Sequence, residues 1–328
     1  MPEPARRRDE FDGGPVDDPD TGPLASAAQI ALRAAQALSA PLRAPVAAGG
    51  RAVAPLRAGV RRGVRRSLGV PPEPPRRAEH AAEAFLPPGG VARHVHGDLP
   101  SMVVGGLAAL LLQTLHPLAM AGVAQHSNYQ EDPIGRLRRT AAFVGATTFG
   151  TVEEATGAIE HVREIHRHVR GCAPDGRRYS ADDPELLTWV HVAEMSSFLA
   201  ASERYGPRRL RADERDRYFA ETAAVARRLG ARWVPESADE VTAYLKRIRP
   251  ELYAGPQAIA ACDFLLHGVA RTPLARATYL AIVAAALPIV PRWARAELGI
   301  PTVPVLDELL VVPPGRVACA GLRWVLKP

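Results

Sequence analysis

Three histidines, His161, His166 and His168, fall within eight positions of the stretch HVREIHRHVRG (161–171). Imidazole changes charge near neutral pH, and its neutral nitrogen is a common metal ligand. On a helix advancing about 100° per residue, with Val162 at zero, Ala155, Ala158, Ile159, Ile165 and Val169 fall within about 60° of it. His166 lies inside that apolar stripe at about 40°, whereas His161 and His168 stand about 100° to 120° away, beside the polar face. Burial among apolar side chains disfavours the charged ring and leaves the free lone pair that a metal needs. The periodicity leaves a second reading open: a core histidine hydrogen-bonded to a backbone carbonyl.

A second constellation is RLRRTAAFVGATTFG (136–150). Arg136, Arg139, Thr140, Phe143 and Thr147 recur at spacings of three and four, which places them on one side of a helix. Arginine and threonine on an inward-leaning stripe could meet a bound carboxylate or a polar ligand atom. The same spacing is also that of an exposed arginine face.

Four further histidines, His96, His116, His126 and His191, lie away from the arginine-rich stretches, and hydrogen-bonded structural roles are expected for them. His191 and Glu194 form a His-x-x-Glu pair on one helix face, the basis of an alternative non-haem iron or peroxidase-like chemistry. A carboxylate-bridged di-iron bundle would want two Glu-x-x-His motifs, and these are missing. The chain also lacks CxxCH, a P-loop, GxGxxG and GxSxG, which removes covalent haem attachment, nucleotide chemistry and serine hydrolysis by those routes.

The elements that must position these residues are helices. Apolar spacing of three and four dominates GRLRRTAAFVGATTF, EEATGAIEHVREIHRHV, PELLTWVHVAEMSSFLAASERY and ERDRYFAETAAVARRLG, with caps expected at Thr151, Asp183 and Asp213 and stops at Gly150, Gly171 and Gly230. No alternating β pattern of useful length and no repeat occurs. The reading is one all-α, multi-helix domain over 89–328 with a buried pocket. The uncharged run MVVGGLAALLLQTLHPLAMAGVA (102–124) is long enough to span a membrane, but Gln113, Thr114, His116 and Pro117 sit at its middle. Unpaired polar groups are costly there, so it reads as a buried core helix broken near Pro117. The run at 277–290 is shorter and reads the same way, and no transmembrane helix is expected.

Residues 1–88 differ in composition. They hold 14 of the 31 prolines and no acid between Asp20 and Glu73, and 51–70 carries six arginines. One reading is a disordered Pro/Ala-rich extension. The other is a helix within residues 25–70 lying on an anionic membrane surface. On the first reading, deletion of residues 1–85 leaves folding intact.

Bulk properties narrow the function classes. The chain has 328 residues and a net charge of +6, yet only Lys246 and Lys327 are lysines, so the basicity is a bias towards arginine. No basic module interleaved with aromatic residues occurs, so nucleic acid is not expected as a partner. Cys172, Cys262 and Cys319 are odd in number and form no CxxC, which excludes a disulfide framework and fits a reducing, cytoplasmic setting. No apolar stretch follows the arginines of MPEPARRRDEFDGG directly, so a signal peptide is not expected.

Four blocks resemble the MpaB/rubber oxygenase family, in its actinobacterial branch. They are HGDLPSMVVGGLAALLLQTLHPLAMAGVAQHSNYQEDPIGRLRRTAAFVGATTFGT, VREIHRHVRG, YSADDPELLTWVHVAEMSSFLA and LPIVPRWARAELGIP, and they span roughly residues 90–328 in order. The resemblance implies an all-α fold with non-covalent haem b. Latex clearing proteins of that family use haem and O2 to cleave the double bonds of polyisoprene to carbonyl ends, and the fungal members cut an isoprenoid side chain. By order and approximate spacing, His166 matches the proximal iron ligand, and Arg136 and Thr140 match the arginine and threonine near the haem. His116 and His191 are the further candidates for the cofactor pocket. Where some relatives place a lysine that caps the iron, this chain has Arg139, which stays protonated and is a poor ligand. The position of the relatives' proposed catalytic glutamate falls near Met120. The implied partners are O2 and a small hydrophobic, isoprenoid or lipid-like substrate.

Overall fold

The computed structural model of the chain describes residues 59, 78–269, 273–302 and 307–326, and among these the architecture is all-α. Chain order begins with α1 (Val91–His96), α2 (Leu99–Gln113) and α3 (Pro117–His126). The last two are the uncharged run, bent by 106° at the expected break. Pro117 has no amide to continue α2, and His116 before it takes an extended backbone. Leu111, Leu112 and Leu115 are fully buried, as befits a helix apolar on all sides.

Next come α4 (Pro133–Phe149) and α5 (Val152–His168). Asp132 caps α4 by accepting the Gly135 amide at 2.8 Å. The expected Thr151 cap of α5 is a full capping box with Glu154, and Gly150 ends α4 as expected. The expected Gly171 stop is different. Helix α5 ends at His168, and Gly171 lies in a two-stranded hairpin, β1 (Arg170–Cys172) against β2 (Arg178–Ser180), paired antiparallel with Gly171 opposite Tyr179. A Cβ at Gly171 would stand 2.6 Å from Tyr179 Oη, so this glycine answers to close packing rather than to helix termination.

The longest helix, α6 (Pro184–Tyr205), is capped by Asp183 as expected. In α7 (Ala212–Leu229) the expected cap Asp213 is already inside the first turn, and the Glu214 carboxylate accepts the Arg211 amide at 2.9 Å. Gly230, at φ 123°, closes α7 in a conformation that suits glycine. The remainder is α8 (Ala238–Ile248), α9 (Pro256–Asp263) running into a π-helical turn, α10 (Pro273–Ala286), α11 (Arg292–Glu297) and α12 (Val312–Leu326).

The centre is α2 packed on α6. A Cβ at Gly105 would lie 3.0 Å from both Phe198 Cα and Ser197 O, so the absent side chain lets the two backbones meet. Trp189, Val192, Phe198 and Tyr205 of α6 enter the same core as Leu107, Leu111 and Leu112 of α2. Helix α12 is tied to this pair by Arg323, which donates to Asp98 at 2.5 and 2.7 Å and also to the Tyr205 carbonyl. Asp307–Leu326 is long and apolar enough to cross a membrane by length and composition alone, which departs from the expectation.

The packed chain begins before the expected boundary at residue 88. The Ala78 amide donates to Phe149 O at 2.8 Å, the Val152 amide to Glu83 O at 2.8 Å and the Phe85 amide to Gly150 O at 3.3 Å. Arg93 also donates to the Ala78 carbonyl, and Leu86 is buried. These bonds give residues 78–85 partners in the helical domain that their composition did not announce. The membrane-surface reading of residues 25–70 falls, apart from Gly59, outside the described residues.

A chain starting at residue 86 should therefore melt lower than one starting at residue 78. Each lost backbone bond is worth about 1 kcal/mol, and the expected drop is roughly 5 °C. Equal melting temperatures in paired thermal scans would show that 78–85 contributes nothing.

Candidate functional site

Helices α1 to α7 and α9 line a cavity of about 450 Å³. Its wall is mostly aliphatic, with Leu110, Leu118, Val123, Val144, Leu187 and Val225 from five different helices. Six side chains on it carry imidazole, guanidinium or carboxyl groups: His96, His126, Arg136, His166, His191 and Glu194.

Two of the six are spent on the fold. His96 is buried, with Nδ1 2.8 Å from Thr148 Oγ1 and Nε2 2.9 Å from Tyr218 Oη. Burial lowers its pKa to about 3. His126 Nε2 lies 3.2 Å from Arg170 O and 3.1 Å from Tyr179 Oη. Both have the hydrogen-bonded roles expected of them.

The other four have no hydrogen bond or ion pair through their side chains among the described residues. His166 is half-buried on the wall, and its buried Nδ1 has no partner. Burial lowers its pKa, opposed in part by Asp182, so the ring is neutral at pH 7. His161 and His168 are exposed, and His168 bonds the Glu164 carbonyl at 2.9 Å. The placement of all three follows the helical periodicity. Arg136 reaches the wall one helix earlier, and burial lowers its pKa while leaving it charged. His191 is 9% exposed, with its pKa brought down to about 4 by burial. Glu194, one turn further along α6, is pushed up to about 7 by burial.

The arginine–threonine stripe is only half realised. Arg136, Phe143 and Thr147 line the cavity, but Arg139 and Thr140 are exposed. Residues 138–142 are all exposed, so no described element faces this turn of α4. Arg139 instead pairs with Asp132 at 3.4 Å. His116 is buried at the start of α3 with its ring centroid 6.0 Å from that of Trp189 and Nδ1 unpartnered, and it does not line the cavity. The structure thus brings Arg136, His166 and His191 together and leaves Arg139, Thr140 and His116 apart. It adds the unpaired state of Glu194, which spacing alone could not reveal. The α7 wall residues Thr222, Val225 and Leu229 carried no signal beyond ordinary amphipathic spacing.

Neutral imidazole and a charged guanidinium facing one apolar cavity can hold a ligand that has both a metal centre and carboxylates. Residues 93–324 match the family described as ER-bound oxygenase mpaB/B'/rubber oxygenase, catalytic domain. No curated protein matches the chain. No solved structure matches it.

The buried histidines make the fold sensitive to acid. Unfolded histidine titrates near 6.5, whereas His96 in the fold titrates near 3 and His116 and His191 near 4. As pH falls below 6.5 the unfolded chain takes up protons that the folded chain refuses, so stability is lost progressively between 6.5 and about 4. Glu194 acts in the opposite sense: its neutral form is favoured in the fold, so its contribution is lost as pH rises from 4.5 to about 7. Glu194→Gln should raise the melting temperature at pH 8 and steepen its fall between pH 6.5 and 4.5, where the carboxyl no longer offsets the histidines. A flat melting profile between pH 4 and 6.5 would contradict the histidine assignment.

Proposed function

The chain belongs to the MpaB/rubber oxygenase family, and from that premise we propose that it is a haem b-dependent oxygenase that uses O2 on a hydrophobic, isoprenoid or lipid-like substrate. The observation that carries this reading is that His166 and Arg136, both unpartnered among the described residues, face the same apolar cavity. Its volume of about 450 Å³ lies within the range of roughly 300–1,000 Å³ usual for small-molecule and cofactor sites.

The residues present fit the cofactor. His166 offers a neutral imidazole, the state in which histidine binds iron. Arg136 is an uncompensated cation suited to a propionate carboxylate by a charge-assisted hydrogen bond. Haem, when bound, supplies an iron centre at which O2 is activated. The chain contributes orientation and a dry surround: the aliphatic wall excludes water and selects a substrate of low polarity. With an alkene as the reacting group, cleavage sends one oxygen atom of O2 to each new carbonyl and consumes no external reductant. Arg139 has no part in the pocket, since it is exposed and paired with Asp132. Thr140 has no such part either, being exposed outside the cavity.

Full-length protein expressed with a haem precursor should show a Soret band that responds to dithionite and O2, and should consume oxygen with a suitable alkene. His166→Ala keeps a good helix former in α5, so helical circular dichroism should persist while most bound haem is lost. His161→Ala, His168→Ala and Arg139→Ala should each keep a normal Soret band. Arg136→Ala should weaken haem retention roughly tenfold, the loss of one charge-assisted bond. Stoichiometric haem in His166→Ala alongside its loss in His161→Ala or His168→Ala would overturn the ligand assignment. A Soret band without oxygen uptake on any alkene would point to a haem-binding protein without turnover.

A further inference from the structure

The proposed cofactor accounts for two of the four unpartnered ionisable groups on the cavity wall and leaves His191 and Glu194. They stand one turn apart on α6, and residues three apart share a helix face. Neither has a hydrogen bond or ion pair among the described residues, although His191 is only 9% exposed. The nearby polar groups cannot serve them. Thr222 Oγ1 donates to Tyr218 O at 2.9 Å, Thr147 Oγ1 to Phe143 O at 2.9 Å, and Tyr218 Oη is held between His96 and Met195. Around the pair the wall is aliphatic, with Leu187, Val190 and Val225.

An unsatisfied polar group in such a setting is costly to the fold, and two side by side call for a ligand that satisfies them. We infer that His191 and Glu194 are a polar anchor for the substrate, receiving one hydroxyl group carried at the end of an otherwise hydrophobic molecule. A hydroxyl both donates and accepts. Neutral imidazole and the carboxyl group, which burial keeps partly protonated at neutral pH, supply a matching acceptor and donor. The anchor makes the preferred substrate class a long-chain or terpenoid alcohol rather than the bare hydrocarbon. A site built to hydrogen-bond a hydroxyl discriminates against the analogue that lacks it. This rests on the haem reading only for what fills the His166 and Arg136 side of the cavity.

The test uses the full-length protein as purified, with 1-decanol and n-decane as probes. Binding is read as the ligand-induced rise in melting temperature, and haem content is read from the Soret band. Wild type should bind 1-decanol roughly tenfold more tightly than n-decane, the value of one satisfied buried hydrogen bond. Glu194→Leu should abolish that preference, keep its haem, and melt no lower than wild type because an unpartnered carboxyl has been removed. Glu194→Gln, which still donates and accepts, should retain most of the preference. The inference is overturned if Glu194→Leu still prefers the alcohol. It is equally overturned if Glu194→Leu melts lower and loses both probes together, which marks a structural residue, or if it loses haem, which marks a cofactor residue. Alcohol preference in a protein without a Soret band would leave the anchor standing and sink the haem reading instead.

Discussion

The close approach of α2 and α6 is the constraint on which the rest of the molecule depends. At Gly105 the backbones come within the space a methyl group would need, so the two central helices are packed with nothing between them. That contact fixes the rotation of α6. One side, with Trp189, Val192 and Phe198, is committed to the core. The side bearing His191 and Glu194 is left to face the cavity. The bend at His116–Pro117 then turns α3 out of line with α2, and α3 contributes Leu118 and Val123 to the cavity wall. The same sequence run that looks like a membrane span becomes part of a pocket wall because its middle is polar and its break is sharp.

Polar accounting separates structure from function in this cavity. His96 and His126 are hydrogen-bonded into the wall, and their role ends there. Arg136, His166, His191 and Glu194 carry desolvation costs that no hydrogen bond or ion pair among the described residues offsets. Folding alone would favour apolar residues at those positions. Their retention is the pattern of a site that trades stability for binding. Two ends of the pocket follow: a cationic and imidazole side suited to a carboxylate-bearing cofactor, and an imidazole–carboxyl side suited to a neutral hydroxyl.

Helix existence and the orientation of α5 were legible in the sequence, because periodicity at 100° per residue is a property of the local chain. His166 inward and His161 and His168 outward follow from it, as do the caps at Thr151 and Asp183 and the break near Pro117. The family resemblance, carried by ordered blocks of residues, likewise needed no coordinates. Tertiary structure decided which stripes have a partner. Arg139 and Thr140 lie on the same helical face as Arg136, yet only Arg136 has a wall to join, because no described element covers residues 138–142. Ala78 to Leu86 look like extension by composition, but they find acceptors at Phe149 and Gly150 that no local pattern announces. Glu194 reads as half of an incomplete metal motif until the fold shows its carboxyl unpaired among aliphatic side chains. Spacing sets where a side chain points relative to its own helix; what it meets there is set by contacts between residues far apart in the chain.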